Sequence, residues 1–301
     1  MTSHHSEQPF INIVSASLDD VPLALGTVAM AVIKLMSDPE INLNRLARAI
    51  SSDQGLTARI IRKANSAFYA SGNRITTLPM AIMKIGFPAT RSIAIAASVN
   101  SMFRKGEGNG LEQQLWQHSL AVGIGSRIIA RKVGSRMTEE AFLTGLLHDI
   151  GKLVLLQRFP EQYTPILRDT QHRPNTRLDV EMTRMGFTHA DLGVMVLDRW
   201  NFDESEIRAV QYHHDPYAMP DQNTDGHDLA SSFALAQIVA LANNLAKSME
   251  ETVGPHSNPI KLLKSDHFDF SPDQLAEIAE DIRQNVADEI QVFGFADTRL
   301  Y

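Results

Sequence analysis

Hydrophobic residues recur at intervals of three and four along most of the chain, which predicts a succession of amphipathic helices. The first run begins at Val21 and stops at Asp38, because Pro39 disfavours helix at the residue before it. The next two runs begin at Asn42 and after Asp53, which reads as an N-cap. Further helices are predicted over residues 78–87, 89–103, 111–133, 138–149, 159–172, 176–185, 189–200, 203–215, 229–247 and 271–292. No segment alternates with a period of two for long enough to predict a strand, so the sequence predicts an all-α protein.

A polar, glycine-rich stretch at residues 104–110 (RKGEGNG) is the best candidate for a linker. It is expected to separate two helical lobes, so the predicted fold is a two-lobed helical domain. The predicted division is a tail at residues 1–17, an N-terminal helical lobe at 18–104, a second helical lobe at 111–250 and a C-terminal helical extension at 251–301.

Composition limits the classes of function. With 44% hydrophobic and 21% charged residues, the 301-residue chain has a globular composition. Its net charge of -7 opposes a broad contact with nucleic acid, which requires Lys and Arg to neutralise phosphates. Without cysteine, any metal site must use histidine and carboxylate ligands. No apolar run approaches the ~18 residues that span a bilayer, so we expect a cytoplasmic protein with no membrane contact.

The segment at residues 145–152 (GLLHDIGK) is the best candidate for chemistry. It places His148 and Asp149 at a helix end, where Gly151 is expected to adopt the left-handed conformation that stops the helix. A neutral imidazole beside a carboxylate is a natural pair of ligands for a divalent metal. For this pair alone, a polar helix end with a capping glycine is the more frequent explanation.

Four further histidines lie at positions from which they can reach the same place. His118 lies inside a helix, His189 lies in the first turn of another, and His213 and His214 end a third. Side chains on successive helices can converge, as they do in helical-bundle metal sites. Adjacent histidines can face one centre only where the helix frays, which Pro216 favours. Each histidine alone is more often a core or surface polar group, but the set predicts a metal cluster. No role is assigned to the histidines in tails and polar loops, which are His4, His5, His172, His227, His256 and His267.

The order of these residues resembles the metal-binding series of the HD superfamily of phosphohydrolases, which includes enzymes that degrade cyclic dinucleotides. The chain as a whole resembles a narrower family, the HD-related output domain (HDOD) of bacterial signalling proteins. The resemblance covers about residues 18–250 and rests on four marks: residues 53–57 (DQGLT) leading to 64–69 (ANSAFY), residues 81–86 (AIMKIG), residues 145–155, and the His213-His214 pair. It implies an all-helical N-terminal lobe packed on a degenerate, HD-like helical lobe at residues 111–250.

Two departures from the enzyme pattern weaken the expectation of activity. HD hydrolases end their ligand series with an aspartate, where this chain has Asn243. The loop that contacts cyclic dinucleotides in one branch is also missing after His214. Two divalent ions need shared anions to hold them together, and Asp149 is the only sure carboxylate ligand, since Asp191 and Asp215 are unproven.

We therefore predict a mononuclear site and a second, incomplete one. The mononuclear site is formed by Asp149, His189, His213 and His214. The half-site of His118, His148 and Asp149 should be weak or empty. Imidazole-rich coordination favours Fe, Mn, Zn or Ni over Mg or Ca. If the protein is active, Asp149 and Lys152 are the catalytic candidates, with Lys152 approaching a phosphate. Otherwise Lys152 is a solvated charge that complements the helix dipole.

Two functions remain open at this point. The first is a bacterial signalling module with little or no turnover, which binds a partner protein or a small phosphorylated ligand and can form a homodimer. The alternative is a metal-dependent phosphohydrolase acting on a nucleotide or cyclic dinucleotide phosphoester, which the retention of all five histidines supports. Nucleic-acid binding is a third and weaker hypothesis, because the net negative charge of the chain opposes it and no recognition motif is visible.

Overall fold

The structure is a computed structural model that describes residues 25–66, 69, 73–103, 110–170, 176–220, 227–250 and 268–293. The described residues form α-helices joined by short loops and one 3-10 turn at Pro216–Ala218, and none of them lies in a β-strand. The predicted all-α class is therefore confirmed. The helices are α1 Thr27–Met36, α2 Leu43–Ser51, α3 Gln54–Ala64, α4 Leu78–Ile85, α5 Phe87–Phe103, α6 Leu111–Lys132, α7 Thr138–Leu147, α8 Ile150–Arg158, α9 Pro160–Asp169, α10 Arg177–Met185, α11 His189–Arg199, α12 Glu204–Gln211, α13 His227–Glu250 and α14 Pro272–Phe293.

Local sequence signals fix several helix starts. The side chains of Asn42 and Asp53 accept hydrogen bonds from backbone amides of the first turns of α2 and α3, as N-caps do. Thr188 and Asp191 form a complete capping box at the start of α11. These caps agree with the predicted starts, and they matter for the site because α11 begins with His189.

The junction of α4 and α5 differs from the prediction. The sequence predicts helices over residues 78–87 and 89–103, but α4 ends at Ile85 and Phe87 already belongs to α5. Gly86 has a φ of 85°, which allows the chain to bend by 110° between the two helices. Pro88 lies in the first turn of α5, where its missing amide hydrogen leaves no helical bond unmade.

Helix α5 joins two groups of helices. On one side it packs against α1, α3 and α4, and on the other side against α6 and α7. Most of its residues are buried, including Ile95, Ala96 and Val99, so its low charge reflects core packing. A polar contact also lies at this boundary, where Arg91 on α5 pairs with the fully buried Glu206 on α12 at 3.0 Å. The Arg91 guanidinium also lies 4.8 Å from the centre of the Phe202 ring.

We expect Arg91→Ala to lower the free energy of unfolding by about 3–5 kcal/mol, because it leaves the buried Glu206 carboxylate without its cation. Burial already raises the pKa of Glu206, against the opposing charge of Arg91. In the folded variant Glu206 would bind a proton more readily than in the unfolded chain. The loss of unfolding free energy should therefore be larger at about pH 8 than at about pH 5. Urea unfolding of the wild type and the variant at both pH values measures this difference in unfolding free energy. The double variant Arg91→Met, Glu206→Leu should recover most of the loss; equal instability of the double variant would contradict the account.

The second group of helices is organised around α6, which packs against α7, α13 and α14. Glycines bring α6 and α7 together: a Cβ added at Gly145 would lie 2.8 Å from the carbonyl oxygen of Val122, and one at Gly123 would lie 3.0 Å from that of Phe142. This close packing buries the C-terminal end of α7. The residues that follow it, His148 and Asp149, are therefore placed deep inside the molecule.

Several sequence predictions concern residues that the structure does not describe. They are the tail at 1–17, residues 104–109 of the linker, and residues 251–267 and 294–301 of the C-terminal extension. The boundaries of the predicted division therefore stay a prediction. Among the described helices, no single one has the length and apolar character to cross a bilayer, and one bent pair, α4 with α5, meets those criteria together.

Candidate metal centre

The His-Asp pair lies in a break between two helices. Helix α7 ends at Leu147 and α8 begins at Ile150, so His148 and Asp149 occupy the connection, with 0% and 1% of their surface exposed. The prediction that Gly151 stops a helix is wrong, because Gly151 lies inside α8. Its role is close approach: an added Cβ would lie 2.0 Å from the backbone oxygen of His189. The missing side chain allows α8 to contact the start of α11, which brings His189 to Asp149.

The other predicted histidines converge on the same carboxylate. His213 and His214 follow the last helical residue of α12, Gln211, so the fraying expected from Pro216 is present. Potential ligand atoms within 4.8 Å of one another form two groups that share Asp149. One group is Asp149, His189, His213 and His214, and the other is His118, His148 and Asp149. These are the two sets that the sequence predicted would come together. That they bind a metal stays a prediction.

Main-chain acceptors determine which nitrogen of two imidazoles carries the proton. Nδ1 of His148 lies 2.7 Å from the carbonyl oxygen of Gly145, and Nδ1 of His213 lies 2.6 Å from that of Val210. A carbonyl oxygen can only accept, so both Nδ1 atoms must be donors. Burial lowers the pKa of His148 to about 4 and that of His213 well below its usual value, so both rings are neutral near pH 7. Their Nε2 atoms are therefore left with free lone pairs.

A buried carboxylate sets the orientation of His189. Glu181 on α10 accepts hydrogen bonds from the Nδ1 and the backbone amide of His189, at 2.7 and 2.8 Å, and from the hydroxyl of Tyr163 at 2.7 Å. Although burial opposes ionisation, the His189 ring and these donors lower the pKa of Glu181. With Nδ1 donating to Glu181, Nε2 of His189 faces inward. It lies 3.2 Å from Asp149 Oδ1 and 2.9 Å from Nε2 of His214.

Lone pairs face one another around Asp149. Its Oδ1 lies 3.2 Å from Nε2 of His189 and 3.8 Å from that of His213, and its Oδ2 lies 3.2 Å from Nε2 of His148. Burial alone would raise the pKa of Asp149, but the positive charge of Lys152 contributes to holding that pKa well below its usual range, so Asp149 is a carboxylate. Within the described residues, three of these buried atoms have no hydrogen-bond partner: Asp149 Oδ1 and Nε2 of His148 and His213. Buried acceptors that face each other without a proton need a cation between them, which a divalent metal would supply.

Lys152 is not the solvated residue that sequence reasoning favoured. Only 3% of it is exposed, and its Nζ lies 2.6 Å from Asp149 Oδ2. Burial lowers the pKa of Lys152 to about 8 against the opposing effect of Asp149. Because α8 begins at Ile150, its first turn carries the lysine back over the Asp149 carboxylate. The side chain therefore belongs to the cluster and does not project toward water.

The remaining carboxylate candidates lie elsewhere. Asp191 is committed to the cap of α11, and Asp215 accepts a hydrogen bond from the amide of Tyr217. Neither belongs to the two ligand groups found among the described residues. Asn243, the residue that the resemblance matches to the last aspartate of HD hydrolases, is 3% exposed on α13, and its Oδ1 has no hydrogen-bond partner in the described part of the chain. Asp149 is thus the sole carboxylate in either group.

Sequence reasoning missed Glu181 and Tyr163. Both are completely buried, and their only sequence signal is a glutamate and a tyrosine in helices that otherwise look surface-exposed. Their importance depends on contacts between residues that are distant in sequence. A carboxylate that accepts a hydrogen bond from a ligating histidine fixes the ring and raises its basicity.

Glu181→Gln is therefore expected to weaken metal binding by about 10–100-fold, because an amide oxygen cannot replace both carboxylate oxygens toward His189 and Tyr163. Isothermal titration with Zn²⁺ or Mn²⁺ measures the affinity, and circular dichroism checks the fold. Tyr163→Phe is the matched control, since it removes one donor to Glu181 and leaves His189 bonded. Tyr163→Phe should lower the metal affinity less than Glu181→Gln does. An equal loss of affinity in both variants would show that Glu181 acts through general packing.

Comparison with known proteins identifies the family and agrees with the fold. The HDOD domain family matches residues 23–216 of the chain. A curated protein of Treponema pallidum (strain Nichols), itself uncharacterized, is 22% identical over 228 residues. That alignment covers 75% of this chain and 43% of the relative, so the chain spans less than half of the relative's length.

Solved structures share the same helical fold. An HDOD domain protein of unknown function from Geobacter sulfurreducens aligns with a TM-score of 0.67 and 20% identity over 93% of each chain. A candidate phosphohydrolase from Shewanella amazonensis SB2B aligns with a TM-score of 0.66 and 21% identity over 97% of each chain. A candidate metal-dependent phosphohydrolase from the same organism aligns with a TM-score of 0.57 and 20% identity, and the alignment covers 91% of this chain and 97% of that one. With the family match extending over more than half of the sequence, the chain belongs to the HDOD domain family.

Proposed function

We propose that this protein is a regulatory HDOD module of bacterial signalling that holds one divalent metal and binds a partner or small ligand with little or no turnover. The observation that carries the proposal is the convergence of neutral imidazole lone pairs on the single carboxylate of Asp149. Such an arrangement can bind a cation. It lacks the second carboxylate that would help to hold two metals for hydrolysis, since the expected position has Asn243.

The proposed metal ligands are Asp149, His189, His213 and His214. Three imidazoles and one carboxylate suit Fe, Mn, Zn or Ni. The same ligands disfavour Mg and Ca, which prefer oxygen ligands. His213 and Asp149 are fully buried, while His214 is partly exposed. A ligand would therefore approach the metal from the side of His214.

The charge of the site favours an anionic ligand. A divalent metal and the Lys152 ammonium carry three positive charges, against two negative charges on Asp149 and Glu181. A buried site with excess positive charge attracts an anion, and a small phosphorylated molecule has the matching chemistry. With the acidic chain as a whole, this favours a ligand or partner protein over nucleic acid. We place the protein in the cytoplasm, and a homodimer is compatible with this role.

A second candidate function is metal-dependent hydrolysis of a nucleotide or cyclic dinucleotide phosphoester. It is favoured by the burial of all the predicted histidines in one cluster, apart from the partly exposed His214. A divalent metal held there would supply Lewis acidity to a phosphoryl oxygen. In this reaction Asp149 would orient the site, and Lys152 would stabilise the developing negative charge.

A turnover screen separates the two functions. The purified protein is incubated with bis-p-nitrophenyl phosphate and with cyclic dinucleotides in the presence of Mn²⁺, Fe²⁺, Zn²⁺ or Ni²⁺. We expect no product above the level of the His189→Ala variant. Turnover that disappears in both His189→Ala and Asp149→Ala would contradict the proposal and establish the hydrolase.

A further inference from the structure

We propose that Lys152 is a built-in cation for the His118–His148 side of the cluster, where it occupies the place of a second metal and limits the site to one ion. The inference rests on the proposed metal site and adds a reason for its stoichiometry. It concerns a residue that sequence reasoning placed in solvent or against a substrate phosphate.

The two oxygens of Asp149 have different neighbours. Oδ1 faces His189 and His213, the imidazoles of the proposed metal site. Oδ2 faces the other three groups: Lys152 Nζ at 2.6 Å, His148 Nε2 at 3.2 Å and His118 Nε2 at 3.8 Å. The carboxylate is therefore divided, with one oxygen available to a metal and the other bonded to an ammonium group.

A metal held by His118 and His148 would need Asp149 Oδ2 as its third ligand. The Lys152 ammonium already donates to that oxygen and would lie next to the incoming ion, so the two cations would repel each other. Among the described residues, the ligand group on this side contains no carboxylate besides Asp149, and Glu181 contacts the cluster through the opposite imidazole, His189. The lysine is held in place, since it is 3% exposed and lies in the first turn after Asp149.

The test is the number of metal ions bound per chain, measured by isothermal titration with Zn²⁺ and by the visible spectrum on titration with Co²⁺. We expect one ion in the wild type and two in Lys152→Gln, with the second bound more weakly because it has one carboxylate oxygen and two imidazoles. Lys152→Arg is the matched control: it keeps the positive charge and should stay at one ion. A wild-type protein that binds two ions, or a folded Lys152→Gln that still binds one, overturns the inference.

A second measurement avoids the risk that Lys152→Gln does not fold. His118→Ala leaves the lysine and the proposed metal site in place, so its affinity for Zn²⁺ should lie within about threefold of the wild type. His214→Ala removes a proposed ligand and should lower the affinity by about tenfold or more. Equal losses in the two variants overturn the inference, because His118 would then hold the metal. Absence of metal binding in wild type and all variants overturns the proposed function as well, so the two failures are distinguishable.

Discussion

Gly151→Ala is expected to lower the free energy of unfolding by more than about 3 kcal/mol, because the new methyl group has no space. Its Cβ would lie 2.0 Å from the backbone oxygen of His189 and 3.1 Å from the amide nitrogen of Gly193. Both contacts are with backbone atoms of α11, so no side-chain rotation relieves them. Helices α8 and α11 would have to separate, which moves His189 away from Asp149.

The same substitution at Gly193 is the matched control. Gly193 lies on α11 in the same helix pair, but a Cβ there would be 3.1 Å from a side-chain methyl of Val210, which can shift. We expect a change of about 1 kcal/mol or less for Gly193→Ala. Urea unfolding and Zn²⁺ titration of both variants give stability and affinity together. A Gly151→Ala protein with wild-type stability and metal affinity would show that the approach of α8 to α11 is not needed.

Asp149→Asn is expected to destabilise the metal-free protein by about 3–5 kcal/mol, in addition to weakening metal binding, because it removes the partner of a buried ammonium. Lys152 lies 2.6 Å from Asp149 Oδ2, and burial already lowers the pKa of the lysine to about 8. Without the carboxylate this pKa falls further. The unfolded chain then binds a proton that the folded chain does not, so the stability of the variant should rise as pH increases from about 7 toward 10.

The double variant Asp149→Asn, Lys152→Met separates the two effects. Removing the buried charge should recover most of the lost stability, while the loss of metal affinity remains. Thermal unfolding in the presence of a chelator reports the first effect, and metal titration reports the second. If the double variant is as unstable as Asp149→Asn, the ion pair is not the source of the instability.

The sequence was sufficient to predict the helical class and the histidines that converge on Asp149. Helical periodicity and N-cap residues depend on neighbours in sequence, which is why Asn42 and Asp53 mark helix starts correctly. The convergence of His118, His189 and His213 on Asp149 was expected from their places on successive helices together with the family resemblance.

The missed features are those that depend on contacts between distant segments. A glycine at the position of Gly151 usually indicates the end of a helix. Here glycine is required because the backbone oxygen of His189, 38 residues away in sequence, leaves no space for a side chain. Lys152 and Glu181 carry charges that usually face water. Only packing shows that Asp149 pairs with the lysine and that the ring and backbone amide of His189 donate hydrogen bonds to the glutamate. Sequence patterns identify residue types and helical faces, whereas these roles follow from which helices touch.

Metal content shows whether the buried cluster around Asp149 holds an ion. The protein, purified without chelators, is analysed by inductively coupled plasma mass spectrometry beside His189→Ala and His118→Ala. We expect about one equivalent of Fe, Mn, Zn or Ni per chain in the wild type and in His118→Ala, and a large loss in His189→Ala. A folded wild-type protein that contains no divalent metal, and takes up none of the four when they are supplied, would contradict the account.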